Sequence, residues 1–110
     1  MNINVCMREM LSTDRNFILD SWIKGNWDKN RDDYDWISDD DYTVYHTLFR
    51  KHVGKLLKTS DVRVVTPKKR TDNIYGYAII SKKKVVWLYV KHLYRHFKAI
   101  EELLREGTDE

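Results

Sequence analysis

The sequence predicts an α+β fold with a mostly antiparallel sheet, in the order β-α-α-β-β-β-α. Three observations carry this expectation. Between residues 61 and 90, three short runs rich in β-branched and aromatic residues are separated by connections too short for crossover helices. Ahead of them, apolar residues recur at three- and four-residue steps, the period of a helix with one buried face. The chain has 110 residues, the size of one ordinary domain, so residues 1–110 are read as a single domain.

Residues 3–8 alternate well enough for a first strand. Ser12, Thr13 and Asp14 bring N-cap chemistry, and Phe17, Ile18, Leu19, Trp22 and Ile23 follow at helical spacing, with Gly25 predicting the stop. The stretch 26–41 has no steady period and reads as a long acidic loop, pinned by Trp27, Tyr34 and Trp36. Tyr42, Tyr45, Phe49, Val53, Leu56 and Leu57 then mark one face of a second helix. Asp40 and Asp41 at its start and Lys55 and Lys58 at its end suit the helix dipole.

Three strands follow. Residues 61–66 are β-branched and end at Pro67. Residues 74–80 carry Gly76, a position for a bulge or a close backbone approach. Residues 85–90 form a continuous apolar run, the pattern of a strand covered on both faces. Residues 96–105 close the chain as a helix whose Phe97, Ile100, Leu103 and Leu104 can face the sheet.

Composition sets the class. Charged residues are 34% and apolar residues 42% of the chain, as in a globular protein. No apolar run approaches the ~20 residues that cross a bilayer, so no membrane partner is expected. The N-terminus lacks a signal-peptide pattern, and Cys6 is the single cysteine. The expected compartment is therefore the cytoplasm. Cys6 itself reads as a small buried hydrophobe.

Charge is unevenly spread. Residues 1–47 sum to −5 and residues 48–110 to +8. The antiparallel order brings Lys68, Lys69, Arg70, Lys91, His92, Arg95, His96 and Lys98 to one end of the sheet and leaves Lys82, Lys83 and Lys84 at the other. The first group has the chemistry to hold phosphates of a coenzyme or a nucleic acid. The acidic 28–41 segment and the modest pI near 8.9 make nucleic acid the weakest of these readings. His92 and His96, four apart on the expected helix, are too few for a zinc site without a cysteine pair, and no metal is expected.

The segment Trp87-Leu88-Tyr89-Val90-Lys91-His92-Leu93-Tyr94-Arg95-His96-Phe97-Lys98-Ala99-Ile100, taken with the element order, resembles the GNAT superfamily of acyltransferases. Phe17-Ile-Leu-Asp-Ser-Trp22 and Ile74-Tyr-Gly-Tyr-Ala78 are similar to a small subgroup common in bacteriophage genomes. The resemblance implies an acetyl-CoA site in which Leu88, Tyr89 and Val90 meet the pantetheine arm. Arg95, His96, Lys98, Ala99 and Ile100 would then meet the pyrophosphate. It also implies transfer of the acetyl group to an amine, which needs a base; no residue stands out as that base.

This sequence departs from the family pattern at two positions of the pyrophosphate turn. Lys98 replaces the middle glycine and Ile100 the final small residue, where bare backbone lets N–H groups approach a diphosphate at a helix N-terminus. The family also continues with further C-terminal strands, whereas this sequence ends six residues after Leu104. The expectation is a GNAT-like sheet without those strands, leaving residues 85–90 as an apolar edge, which is a template for pairing. A second copy or a partner protein is expected to cover it, with Val85 and Trp87 on the strand and Trp27, Tyr34 and Trp36 in the acidic segment as contacts.

The sequence thus favours a phage-type accessory protein that binds a host protein with little or no catalysis. An active N-acetyltransferase is the alternative, and a weak nucleic-acid binder the third reading.

Overall fold

In the computed structural model, which describes residues 4–29 and 39–108, four strands form one antiparallel sheet in simple sequence order. They are β1 (Val5–Glu9), β2 (Asp61–Pro67), β3 (Gly76–Ser81) and β4 (Lys84–Val90). Three helices accompany them: α1 (Arg15–Lys29), α2 (Asp39–Thr59) and α3 (Lys98–Arg105). The chain is therefore α+β. Its residues group into two compact units, Met1–Leu11 with Thr59–Glu110, and Ser12–Lys58.

The first unit is the sheet with α3. Helix α3 lies on β2, β3 and β4, and its Ile100 and Leu104 are fully buried in a cluster with Val65, Ala78, Ile80 and Val90. The four strand residues fall on one face because strand side chains alternate, and Ile100 and Leu104, four apart on α3, meet them from above. Val62, Val64, Thr66, Tyr77 and Ile79 occupy the opposite face and are also buried. There the Cys6 thiol and the Thr66 hydroxyl lie 3.4 Å apart as a hydrogen-bonded pair. Cys6 is half-buried, so it is a polar partner at the sheet margin and not the sealed hydrophobe expected.

Gly76 sits where two strands and the helix meet. It is opposite Val65 and Val90. A Cβ there would stand 2.7 Å from the Tyr89 carbonyl oxygen and 3.4 Å from a Leu104 methyl. This is the close approach that the glycine predicts. The bulge lies elsewhere: Ile79 pairs with Trp87 while Ile80 pairs with Val85, so Val86 is the extra residue.

The β3–β4 hairpin closes through a two-residue loop, Lys82-Lys83, between paired Ser81 and Lys84. Both loop residues have positive φ, 53° and 65°. That is a type I′ turn, whose twist matches the strands and which favours Asn-Gly. Two lysines occupy it here.

The second unit is an antiparallel helix pair. Asp20 of α1 accepts a hydrogen bond from Arg50 of α2 at 2.6 Å, and Asn26 of α1 donates to the Tyr45 hydroxyl at 2.7 Å. Its buried residues include Ile18, Leu19, Trp22, Ile23 and Trp27 on α1 and Val53 and Leu57 on α2. The expected stop at Gly25 does not occur, because α1 runs on to Lys29. Asn26 and Trp27 have partners on α2, and such contacts outweigh the ~1 kcal/mol that glycine costs a helix. The expected loop 26–41 is corrected accordingly: residues 26–29 belong to α1 and 39–41 to α2. Tyr34 and Trp36 lie outside the described residues.

Candidate functional site

The site is built from β4 and the chain that follows it. β4 is the last strand of the sheet order, so one of its sides has no neighbouring strand among the described residues. Which backbone groups face that side follows from one hydrogen bond. The Lys91 N–H donates to the Tyr75 carbonyl at 2.8 Å, inward across the sheet. The Val90 carbonyl belongs to the same planar trans amide and so points the opposite way, outward. Successive residues alternate. Val90 and Leu88 therefore turn both backbone groups outward, while Tyr89 and Trp87 turn theirs toward Tyr77 and Ile79.

One of the outward groups is already engaged. Arg95 folds back and donates from Nε to the Val90 carbonyl at 2.8 Å. The row left on the edge includes the Leu88 N–H, the Leu88 carbonyl and the Val90 N–H.

Arg95 reaches Val90 because the chain turns tightly. His92–Tyr94 form a short 3-10 turn, and Tyr94 stacks on Tyr75 with ring centroids 4.0 Å apart. Lys91 Nζ meets the Asn73 side-chain oxygen at 3.3 Å. These contacts hold the loop 68–75 beside the β4–α3 connection, so Lys68, Lys69 and Arg70 share an end of the sheet with Lys91, His92 and Arg95. The Tyr75 phenol is pushed above its ordinary pKa of 10.0, first by its hydrogen bond with Tyr94, then by burial and the Tyr94 charge.

The expected helix 96–105 begins two residues later, at Lys98. Phe97 caps it with φ −91° and ψ 88° and makes no side-chain cap bond. Arg95 and His96 thus precede the helix, and His92 and His96 share no helical face; the His96 ring instead lies 4.0 Å from that of Phe97. Lys98 and Ala99 are exposed. Ile100 is fully buried, and its N–H donates to the Phe97 carbonyl at 3.1 Å. Ile100 is therefore corrected from a coenzyme contact to a core residue.

The partner-contact residues divide as well. Val85 packs, partly buried, against the α3-side cluster. Trp87 lies on the other face opposite Ile79, half-buried. Trp27 is only 6% exposed, with its ring 4.8 Å from that of Tyr45; this removes it from an exposed partner surface. Val86, which no sequence signal marks, is the exposed apolar residue of β4, at 46%.

A second feature was not legible in the sequence. A cleft of about 520 Å³ lies where β1 ends and β2 begins, lined by Met7, Arg8, Met10, Ser60, Asp61 and Arg63 among others. Ser60 Oγ is buried there without a hydrogen-bond partner. Arg63 is held by the Glu106 carbonyl and Arg8 by the Thr71 carbonyl, so neither guanidinium is wholly committed to the cleft.

Among the described residues no group of three or more His, Cys, Asp and Glu side chains converges as a metal site. No described helix is long and apolar enough to cross a membrane. No family model, no curated protein and no solved structure matches this chain.

Proposed function

We propose that this chain is a GNAT-like scaffold that acts by binding a partner protein along β4, with little or no acyl transfer. The observation that carries the reading is the outward row on β4: a donor and an acceptor at Leu88 and a donor at Val90, on a strand with no described neighbour beyond it. An extended segment can add to such a row by main-chain hydrogen bonds. Val86, exposed within the strand, offers it apolar contact.

Two contacts support a reduced coenzyme site. The Nε of Arg95, at the first position of the pyrophosphate pattern, is turned back onto Val90. The Ile100 amide, which would face a diphosphate at a glycine-rich turn, is spent on Phe97.

The acetyltransferase reading keeps one favourable observation. The Lys98 and Ala99 N–H groups stand at the exposed start of α3 without an acceptor among the described residues, and the Leu88–Val90 row also suits the amides of a pantetheine arm. Calorimetric titration of acetyl-CoA into the wild-type chain and the Lys98→Gly variant separates the two. The binding reading predicts no measurable heat from the wild type and recovered binding with glycine. Micromolar binding by the wild type would overturn it in favour of the enzyme.

A further inference from the structure

Resting on the reading of β4 as a docking strand, we infer that its occupant is an extended peptide with acidic residues at both ends of a short apolar centre. A second copy of this chain does not fit. Cations stand at both ends of β4. At the hairpin tip are Lys82, Lys83 and Lys84, all exposed and without an acidic partner among the described residues. At the other end are Lys91 and Arg95. Between Lys84 and Lys91 the sequence is Val-Val-Trp-Leu-Tyr-Val, with no charge at all.

Self-pairing meets repulsion in either direction. An antiparallel copy centred on Leu88 sets Val85 against Lys91, bringing the lysine tip to the mate's end that carries Lys91 and Arg95. A parallel copy in register sets Lys84 beside Lys84 and Lys91 beside Lys91. Like charges across a strand pair are destabilising. An acidic-ended strand turns both ends attractive, since complementary charge fixes partner and register.

The turn supplies an independent observation. Lys82 and Lys83 hold positive φ at positions where asparagine and glycine fit without strain. The chain keeps two cations there against the local backbone preference. Arg95 on the Val90 carbonyl also limits the added strand. Its ladder ends at the Val90 N–H, which places its terminal residues beside Lys91 and Arg95.

The test uses the full chain and two dye-labelled peptides of about nine residues with the same Val-Thr-Val-Thr-Val centre. One is flanked by Glu and Asp, the other by Lys. Fluorescence anisotropy is expected to show the acidic-ended peptide binding about tenfold tighter at about 50 mM salt. The advantage falls to about twofold at about 0.5 M. Lys82→Asn, Lys83→Gly and Lys84→Thr together reduce it about threefold at low salt. Amide exchange on the wild-type complex is expected to slow at Leu88 and Val90.

Equal binding of both peptides, with Leu88 and Val90 protected, would overturn the acidic-ended occupant and leave strand docking standing. Tight binding of the acidic-ended peptide with both amides unprotected would overturn docking itself, and so would no binding by either peptide. A dimer at tens of micromolar that protects both amides would assign the edge to a second copy and overturn this inference.

Discussion

Replacing Lys83 with glycine is expected to stabilise the protein, and the size of the gain follows from the turn. Lys83 sits at φ 65° in the two-residue loop that closes β3 onto β4. A left-handed conformation strains an L-residue by roughly 1–2 kcal/mol, because Cβ crowds the following carbonyl. Glycine relieves that strain but brings a more flexible unfolded chain, an opposing term of about 0.4–1 kcal/mol. The net gain is about 1 kcal/mol, which for a chain of this size raises Tm by roughly 4–8 °C. Thermal melts by circular dichroism measure it, at low salt and again at about 0.5 M, where exposed charges are screened within about 4 Å. A gain that persists at high salt is conformational, as the turn geometry requires. A gain confined to low salt would trace to relief of repulsion among Lys82, Lys83 and Lys84. A lower Tm at both salts would refute the reasoning.

Two further predictions rest on packing and titration. Gly76→Ala places a methyl 2.7 Å from the Tyr89 carbonyl oxygen, so β3 and β4 must part; the expected loss is about 1–3 kcal/mol, read from urea unfolding, and an unchanged midpoint would contradict the close approach. Tyr75 is expected to ionise above the ordinary phenol range, since its pKa is raised chiefly by the hydrogen bond with Tyr94. The sign follows from linkage: the contact's contribution is fully present below the unfolded pKa near 10 and fades as pH rises through the higher folded value. Absorbance titration should therefore lose a late-titrating phenol in Tyr75→Phe, and loss of an early-titrating phenol instead would contradict the assignment.

The strands were legible where local chemistry decides them. Residues 61–66 and 85–90 are rich in β-branched and aromatic side chains, and β2 and β4 differ from those bounds by a single residue at one end. Gly76 was legible as a close approach because only a missing side chain fits that contact. Elements decided by distant partners were not. Gly25 reads as a stop until Asn26 and Trp27 meet Tyr45, nineteen residues away for Asn26. The start of α3 moves to Lys98 because Tyr94 is held by Tyr75 and Arg95 by Val90, pairings no local window contains.

The candidate site was half legible. The edge position of residues 85–90 follows from the order of elements, and the pairing of Lys91 with the 68–75 loop follows from antiparallel topology. Which of its backbone groups face outward depends on register, and the sequence is silent on that. The bulge at Val86 is equally invisible, because Val85 and Val86 are identical residues, and only the shift between Ile79 and Ile80 separates the packed one from the exposed one.

Whether β4 holds an open row of backbone groups is read most directly by amide hydrogen exchange, residue by residue, on the free protein. The expected pattern alternates: Leu88 and Val90 exchange on the order of a thousandfold faster than Trp87, Tyr89 and Lys91, whose N–H groups turn inward toward Ile79, Tyr77 and Tyr75. Uniform slow exchange along residues 87–91 would mean that the edge is already filled, and the docking account would fall with it.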